Sequence, residues 1–317
     1  MNTIHAQSRG LVLIADEMHL SLMPMLHAIG YETDYRPLIS RTEIIDILDN
    51  YVGLIIRSKT FVDEGLLKNA NNLKFIGRAG AGLDLIDSEV VTKKNIQLFA
   101  ANEGNRVAVA EHIIGMLLCL MNNIAVSDRE VRQGIWQREK NRGYELMGKT
   151  VGIIGYGNNG SETAKRLWAF GCKVRAYDKF KTDFADAYVL EASMEMIFEQ
   201  ADIISLHIPL TDETAKMVDA DFLSKFKKPI FLMNASRGEI VVLKDLAKAI
   251  TQKNVLGACL DVLENEKLNK LSLEQAIVFD ELKSSDRVVF SPHIAGWTFE
   301  SYIKINEVLV QKIAELG

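Results

Sequence analysis

Three side chains in the second half of the chain suit proton and carbonyl chemistry: Arg237, Glu266 and His293. Each falls just past a short apolar run. They lie in Asn234-Ala235-Ser236-Arg237-Gly238, in Asp261-Val262-Leu263-Glu264-Asn265-Glu266, and in Ser291-Pro292-His293-Ile294-Ala295-Gly296. An arginine can hold a carboxylate and polarise a carbonyl oxygen. A histidine titrates near neutrality, so it can take or return a hydroxyl proton. A carboxylate beside it orients the ring and favours its charged form. Any one of them alone reads as a surface loop residue. Three at successive strand ends of one sheet read as a site.

A second group binds rather than reacts. Thr150 to Ile154 is an apolar run with the length of a buried strand, followed at once by Gly155-Tyr156-Gly157-Asn158-Asn159-Gly160. Ala164, Leu167 and Trp168 then recur at helical spacing, and Gly171 stands where a C-terminal cap belongs. A further run, Lys173 to Tyr177, ends in Asp178. Strand, glycine turn, helix, strand and acid is the order of a dinucleotide-binding βαβ unit. Gly155 permits the tight turn, Gly157 lets backbone approach a pyrophosphate, and Gly160 lets helix and strand lie close. The helix N-terminus offers unpaired N–H groups to phosphate. A carboxylate at Asp178 accepts from ribose hydroxyls and repels a 2′-phosphate, which favours NAD over NADP. Lys179 and Lys181 weaken that preference without reversing it.

The elements that must position these groups alternate along the chain. Strands are expected at Leu11–Ala15, Val52–Ile56, Leu73–Ile76 and Ile96–Phe99, with a capping box at Ser40–Glu43 and a short helix capped by Asp63. Further strands are expected at Ala201–Leu206, Pro229–Met233, Val255–Leu260 and Val288–Phe290, with helices over 243–252 and 299–316. Repeated βα units give doubly wound parallel sheets, whose ligands gather at the strand C-terminal ends. Two other segments fall at such ends: Arg57-Ser58-Lys59-Thr60, and Gly77-Arg78-Ala79-Gly80-Ala81-Gly82, whose glycines leave backbone amides open to an anion. From Asn105 to Trp136 one long apolar helical pattern is interrupted by Glu111 and His112, the latter read as a hydrogen-bonded core histidine.

Composition narrows the class. The chain has 317 residues, 48% hydrophobic and 25% charged, enough for two globular domains. A net charge of −5 gives no basic footprint for nucleic acid. The start MNTIHAQSRG does not read as a signal peptide, and the uncharged stretch from Ile113 to Ser127 is short for a membrane span. Cys119, Cys172 and Cys259 show no metal-ligand spacing and read as reduced thiols of a cytoplasmic protein.

The stretches IIRSKT, GRAGAGLD, GNRVAVAEH, VGIIGYGNNG, HIPLTDET, NASRGEIV, GACLDVLENE and SPHIAG stand in one order along almost the whole chain. Together they resemble the D-isomer-specific 2-hydroxyacid dehydrogenase family, most of all its D-3-phosphoglycerate dehydrogenase branch. The resemblance implies an α/β fold of two doubly wound parallel-sheet domains. A Rossmann NAD-binding domain, 105–296, would be inserted in a flavodoxin-like substrate domain, 1–104 plus 297–317. It implies hydride transfer between a D-2-hydroxy acid and NAD, with Arg237, Glu266 and His293 catalytic. Cofactor contact would fall to Ala81, Gly155, Gly157, Asn158, Asn159, Gly160, Asp178, Ile208, Ala235, Ser236, Arg237, Asp261, His293, Ala295 and Gly296. Substrate contact would fall to Arg57, Ser58, Arg78, Ala79, Gly80 and Asn105. A homodimer through the apolar helix from Val107 to Met121 and the segment that follows it to Trp136 is implied, and the absence of a C-terminal regulatory domain beyond Gly317 is expected. Lys267 stands where the family usually has proline, and a charged segment fills the interval up to His293. A glyoxylate or hydroxypyruvate reductase is the alternative within the enzyme class. An NAD(H)-sensing binding protein is the alternative outside it.

Overall fold

The computed structural model describes residues 8–316. The chain divides into two units, the first running to Asn105 and resuming at Trp297, the second spanning Arg106–Gly296. The first is built on β1 (Gly10–Ile14), β2 (Tyr31–Tyr35), β3 (Gly53–Ile56), β4 (Phe75–Arg78) and β5 (Gln97–Ala100). These strands are parallel in the order β2-β1-β3-β4-β5, the flavodoxin-like winding. Alternation sorts the side chains between two faces. Leu13, Leu54 and Ile76 pack with Ile44, Leu48 and Val91 on one side, while Val12, Ile14, Ile55 and Phe75 fill the other.

That second face explains why the unit is discontinuous. Helix Phe299–Ala314 supplies Ile305, Leu309, Val310 and Ile313, all buried against it. Each such side chain stabilises by on the order of 2 kcal/mol before the opposing chain entropy is counted. Lys312 Nζ ties the helix to Ala100 O at 2.7 Å and to Glu103.

The second unit contains β6 (Thr150–Ile154), β7 (Lys173–Tyr177), β8 (Leu190–Glu191), β9 (Ile203–Leu206), β10 (Ile230–Asn234), β11 (Val255–Leu260) and β12 (Val288–Phe290). The order is β12-β11-β10-β9-β6-β7-β8, all parallel, so the winding reverses between β6 and β9. Helices Arg106–Met121 and Asn158–Ala169 cover one face through Ile113, Leu117, Leu120, Ala164 and Leu167. Helices Met194–Gln200, Ala220–Ser224 and Leu243–Thr251 cover the other.

Four local features depart from the sequence reading. The polar strand β2 has no counterpart there: YETDY lies at the sheet edge, where only Tyr31 is buried. The long helical pattern from Asn105 breaks at Asn123, which has φ +53°, and helix Ile124–Arg132 leaves at 61° to the first. Asp63 caps a turn through Leu66 N rather than a helix. The charged segment after Glu266 folds into helix Leu273–Lys283, opened by a capping box between Ser272 and Gln275. Among the described residues no single helix is long and apolar enough to cross a membrane.

Candidate active site

The glycine turn joins β6 to helix Asn158–Ala169. Gly155 has φ +95°, and a Cβ there would lie 2.5 Å from the His207 carbonyl oxygen. A Cβ on Gly160 would run into the Gly155 carbonyl, so the helix can approach the strand only without one. Beside Gly157 there is nothing within 4 Å of where a Cβ would stand. That open space at a helix N-terminus fits a dinucleotide pyrophosphate. The buried Asn159 Oδ1 has no partner among the described residues. At the end of β7 the Asp178 carboxylate accepts from Tyr156 N at 2.8 Å and Phe180 N at 2.9 Å. It is therefore held against the turn. Lys181 Nζ donates to Tyr156 O and Lys179 pairs with Glu213, so both neighbouring lysines have partners of their own. Ile208 packs beside Gly155. His207 hydrogen-bonds Ser205 at 2.7 Å, and desolvation pushes its imidazole down to about 4, so it is neutral at ordinary pH.

At the far strand ends His293 and Glu266 meet. His293 Nδ1 is 2.9 Å from Glu266 Oε1 and 3.1 Å from Oε2. Both side chains are about half exposed, at 47% and 48%. With Nδ1 turned to the carboxylate, Nε2 is the nitrogen left to exchange a proton. His293 has φ +55°, a left-handed conformation that costs a non-glycine residue on the order of 1 kcal/mol. Its N–H donates to Asp261 O at 2.7 Å and to Ser291 O at 3.1 Å, which holds it there.

The Asp261 carboxylate anchors the rest of that loop. It is 1% exposed and accepts from Ser291 Oγ (2.5 Å), Ile294 N (2.9 Å) and Ala295 N (2.9 Å). Helix Arg106–Met121 adds His112, whose Nε2 is 2.9 Å from Ser291 Oγ and 3.5 Å from Asp261 Oδ1. Burial pushes the Asp261 carboxyl up. The hydrogen bonds from His112, Ser291 and the Ala295 and Ile294 amides outweigh that and hold it below the usual carboxylate range.

Arg237 stands after β10 in a turn pinned by Asn234. The Asn234 Nδ2 donates to Arg237 O at 2.9 Å, and its Oδ1 accepts from Ser236 N and Oγ. Arg237 Nη1 donates to Ser236 O at 2.7 Å. Beyond Glu266, Asn265 accepts from Lys267 N and donates to Gln275 Oε1 at 3.2 Å. The loop that carries Glu266 is thus tied to helix Leu273–Lys283, without the usual proline.

In the first unit Asp16, 3% exposed, stands just past β1, next to β3 in the sheet where the winding reverses. It accepts from Arg57 N (2.6 Å), Lys59 N (3.0 Å) and Thr60 Oγ1 (2.8 Å). Ser58 is exposed between them. Asn105 Oδ1 is buried and lacks a partner among the described residues. In the loop after β4, the Arg78 guanidinium turns back to Ala79 O at 2.7 Å, and Ala81 follows half-buried.

Residues 114–295 match the family described as D-isomer specific 2-hydroxyacid dehydrogenase, NAD binding domain. Hydroxypyruvate reductase of Thermotoga maritima is 35% identical over 282 residues, covering 88% of this chain and 89% of that protein. The chain belongs to the D-isomer specific 2-hydroxyacid dehydrogenase family. D-3-phosphoglycerate dehydrogenase of Archaeoglobus fulgidus is 34% identical over 308 residues, which is 96% of this chain and 57% of that protein. The chain therefore spans little more than half the length of the phosphoglycerate dehydrogenases it matches. Among solved structures, the D-lactate dehydrogenase from Aquifex aeolicus complexed with NAD and lactic acid superposes with TM-score 0.77. It is 26% identical, over 96% of this chain and 94% of that one. The second unit is this family's NAD-binding domain.

Several of the expected site residues have partners of their own within the protein. The Ala79 and Gly80 amides are not held out to an anion, because they donate to Ile56 O and Arg78 O. Lys59 Nζ, the other cation of the Arg57 turn, is engaged by Pro37 O (2.8 Å) and Ile39 O (3.0 Å). Asp261, expected beside the cofactor, has its carboxylate buried under the histidine loop. Asp16 went unread in the sequence, while His112, read as a hydrogen-bonded core histidine, is hydrogen-bonded to Ser291 but only partly buried. An acid directly after the apolar run LVLIA was the available signal for the first. Nothing local signals which partner His112 takes, since Ser291 is 179 residues away.

A depressed carboxylate contributes its stability in full above the unfolded value, about 3.9, and loses it as pH falls through the lower folded value. Asp261→Asn also turns an amide N–H toward three donors. It is expected to unfold at lower urea than the parent chain, by a margin level from about pH 8 to about pH 5 and narrowing only below about pH 4. Urea midpoints across that range check this; a margin that vanished near neutrality would refute the charge assignment.

Proposed function

We propose that the chain is an NAD-dependent dehydrogenase that interconverts a D-2-hydroxy acid and its 2-keto acid. The observation that carries this is the His293–Glu266 pair at 2.9 Å, beyond the C-terminal ends of β12 and β11 in the parallel sheet whose β6 carries the NAD-binding turn. When bound, NAD supplies the hydride acceptor at its nicotinamide ring. Arg237 takes the substrate carboxylate and polarises the carbonyl oxygen. His293 Nε2 accepts the hydroxyl proton in oxidation and returns it in reduction, with Glu266 steadying the ring through Nδ1. General acid–base catalysis is worth about 10²–10⁴-fold. His293→Ala is therefore expected to lose about that factor in kcat while still quenching NADH fluorescence on binding; loss of a few-fold only would sink the role.

Asp178 favours NAD over NADP by occupying the place a 2′-phosphate would need. Affinity titrations should show tighter NADH than NADPH binding, with the gap narrowed in Asp178→Ala. Equal affinity in the parent chain would contradict this.

The acid we assign is 3-phosphoglycerate, oxidised to 3-phosphohydroxypyruvate as the first step of serine synthesis in the cytoplasm. Four phosphoglycerate dehydrogenases at 29–34% identity support it. Arg57 is the cation for the phosphate, since an arginine takes phosphate bidentately. Hydroxypyruvate reduction is the second reading. It is favoured by the engagement of Lys59, the second cation of the Arg57 turn, with backbone carbonyls and by the Thermotoga relative, 89% of whose length is matched. Comparison of kcat/KM for phosphohydroxypyruvate, hydroxypyruvate, glyoxylate and pyruvate decides between them. We expect the phosphorylated substrate to lead and Arg57→Ala to erase its lead; equal use of hydroxypyruvate favours the second reading instead.

We also assign a homodimer formed through the second unit. Of the two stretches expected to supply the apolar surface, the segment that follows the helix is the one left exposed. Helix Arg106–Met121 is buried within its own domain, so it has little apolar surface to offer a partner. The exposed apolar surface lies on the residues C-terminal to that helix: Ile124, Val131, Trp136 and Met147 are each more than half exposed. A closed twofold pair is the commonest cover for such a patch. Sedimentation at micromolar concentration should give a dimer, and Trp136→Glu should shift it to monomer.

A further inference from the structure

We propose that Trp297 is a specificity-determining residue: its indole face holds the Arg57 guanidinium, at the end of β3, as a preformed receptor for the substrate's phosphate. This rests on the phosphorylated-substrate reading above and adds to it the residue that makes Arg57 selective. Trp297 is the first residue of the chain's return to the first unit, directly after the histidine loop.

The geometry is a stack. The Arg57 Cζ lies 3.8 Å from the centroid of the Trp297 ring and 5.4 Å from that of Tyr302. The two rings are 4.6 Å apart at 50°, and Tyr302 stands on helix Phe299–Ala314. A T-shaped contact with His19 at 5.5 Å backs Tyr302 from the far side. At its other end Arg57 is fixed by its backbone N–H on the buried Asp16 carboxylate. The residue is thus held at both ends of a side chain that is otherwise among the most mobile.

A stacked guanidinium offers its face to the ring and keeps its five N–H donors in the plane. One of them makes a long hydrogen bond of 3.4 Å to Glu17 O, and the guanidinium also reaches the Tyr302 hydroxyl. A phosphate takes two such donors at once, and a fixed arginine gives up less rotamer freedom in the capture than a loose one. The neutral hydroxyl of hydroxypyruvate gains little from the same group. With Lys59 tied to Pro37 and Ile39, the ammonium of the same turn does not share the work.

The test measures kcat and KM for phosphohydroxypyruvate and hydroxypyruvate with NADH. The proteins are the parent chain, Trp297→Leu, Trp297→Gln, Trp297→Phe and Arg57→Ala. Loss of a cation–π contact predicts that Trp297→Leu and Trp297→Gln each lower the preference for the phosphorylated substrate about tenfold, through KM rather than kcat. Trp297→Phe, which keeps a ring face, should recover most of it. Trp297 is 44% exposed, so the variants are expected to fold, and pairing an apolar with a polar replacement guards against failure of one. An equal loss on both substrates, or an effect in kcat, overturns the proposal as a merely structural role. An unchanged preference in the Trp297 variants with a collapsed one in Arg57→Ala overturns it and leaves the phosphorylated substrate standing. No preference in the parent chain, or none lost in Arg57→Ala, overturns the substrate reading itself and the proposal with it.

Discussion

The buried Asp261 carboxylate is the contact on which the reactive end of the cofactor domain depends. A charge so enclosed is costly unless every lone pair finds a donor. Here the donors are the parts that must be placed: Ser291, the Ile294 and Ala295 amides, and His112. The backbone of the same residue receives the His293 amide. Satisfying one carboxylate therefore shapes the whole loop, and it holds His293 in a left-handed conformation that an unsupported histidine would leave. Its imidazole then meets Glu266.

The same device recurs wherever a loop leaves a strand. Asn234 pins the Arg237 turn, Asp178 pins the glycine turn, and Asp16 pins the Arg57 turn. Each is a short polar side chain at a strand's C-terminal end that takes backbone N–H groups or gives to a carbonyl. Parallel sheets bring all strand C-termini to one edge, so each unit's pinned loops gather on a single side. The interior needs only apolar side chains of the right size; the edge needs particular acids and amides.

Charge is allocated sparingly at these edges. Lys59, Lys179 and Lys181 look available in the sequence, yet each is engaged by carbonyls or a carboxylate nearby. Arg57 is instead held against aromatic rings, its Cζ 3.8 Å from the centroid of Trp297 and 5.4 Å from that of Tyr302. The absent proline after Glu266 is offset by Asn265, which ties that loop to Gln275 on a helix inserted before β12. Different residues reach the same end, a carboxylate kept within reach of His293.

Much of this was legible from the residues alone. Periodicity gives the strands of both sheets except β2 and the two-residue β8, and the order strand, Gly155 to Gly160, helix, Asp178 gives the cofactor turn, because those signals lie within a few dozen consecutive residues. The Ser40–Glu43 capping box and the glycine after helix Asn158–Ala169 are local in the same way, and the structure contains both. What could not be read locally is of two kinds. Some elements carry weak patterns: β2 is a polar edge strand, and the helix break at Asn123 turns on one left-handed residue. Others are contacts between residues far apart in the chain, such as His112 with Ser291 and Arg57 with Trp297. Whether a lysine is a receptor or a tether, and whether a tryptophan is a core residue or a clamp, depends on which distant backbone folds against it. Local patterns set the elements, while tertiary packing decided the partners of each charge.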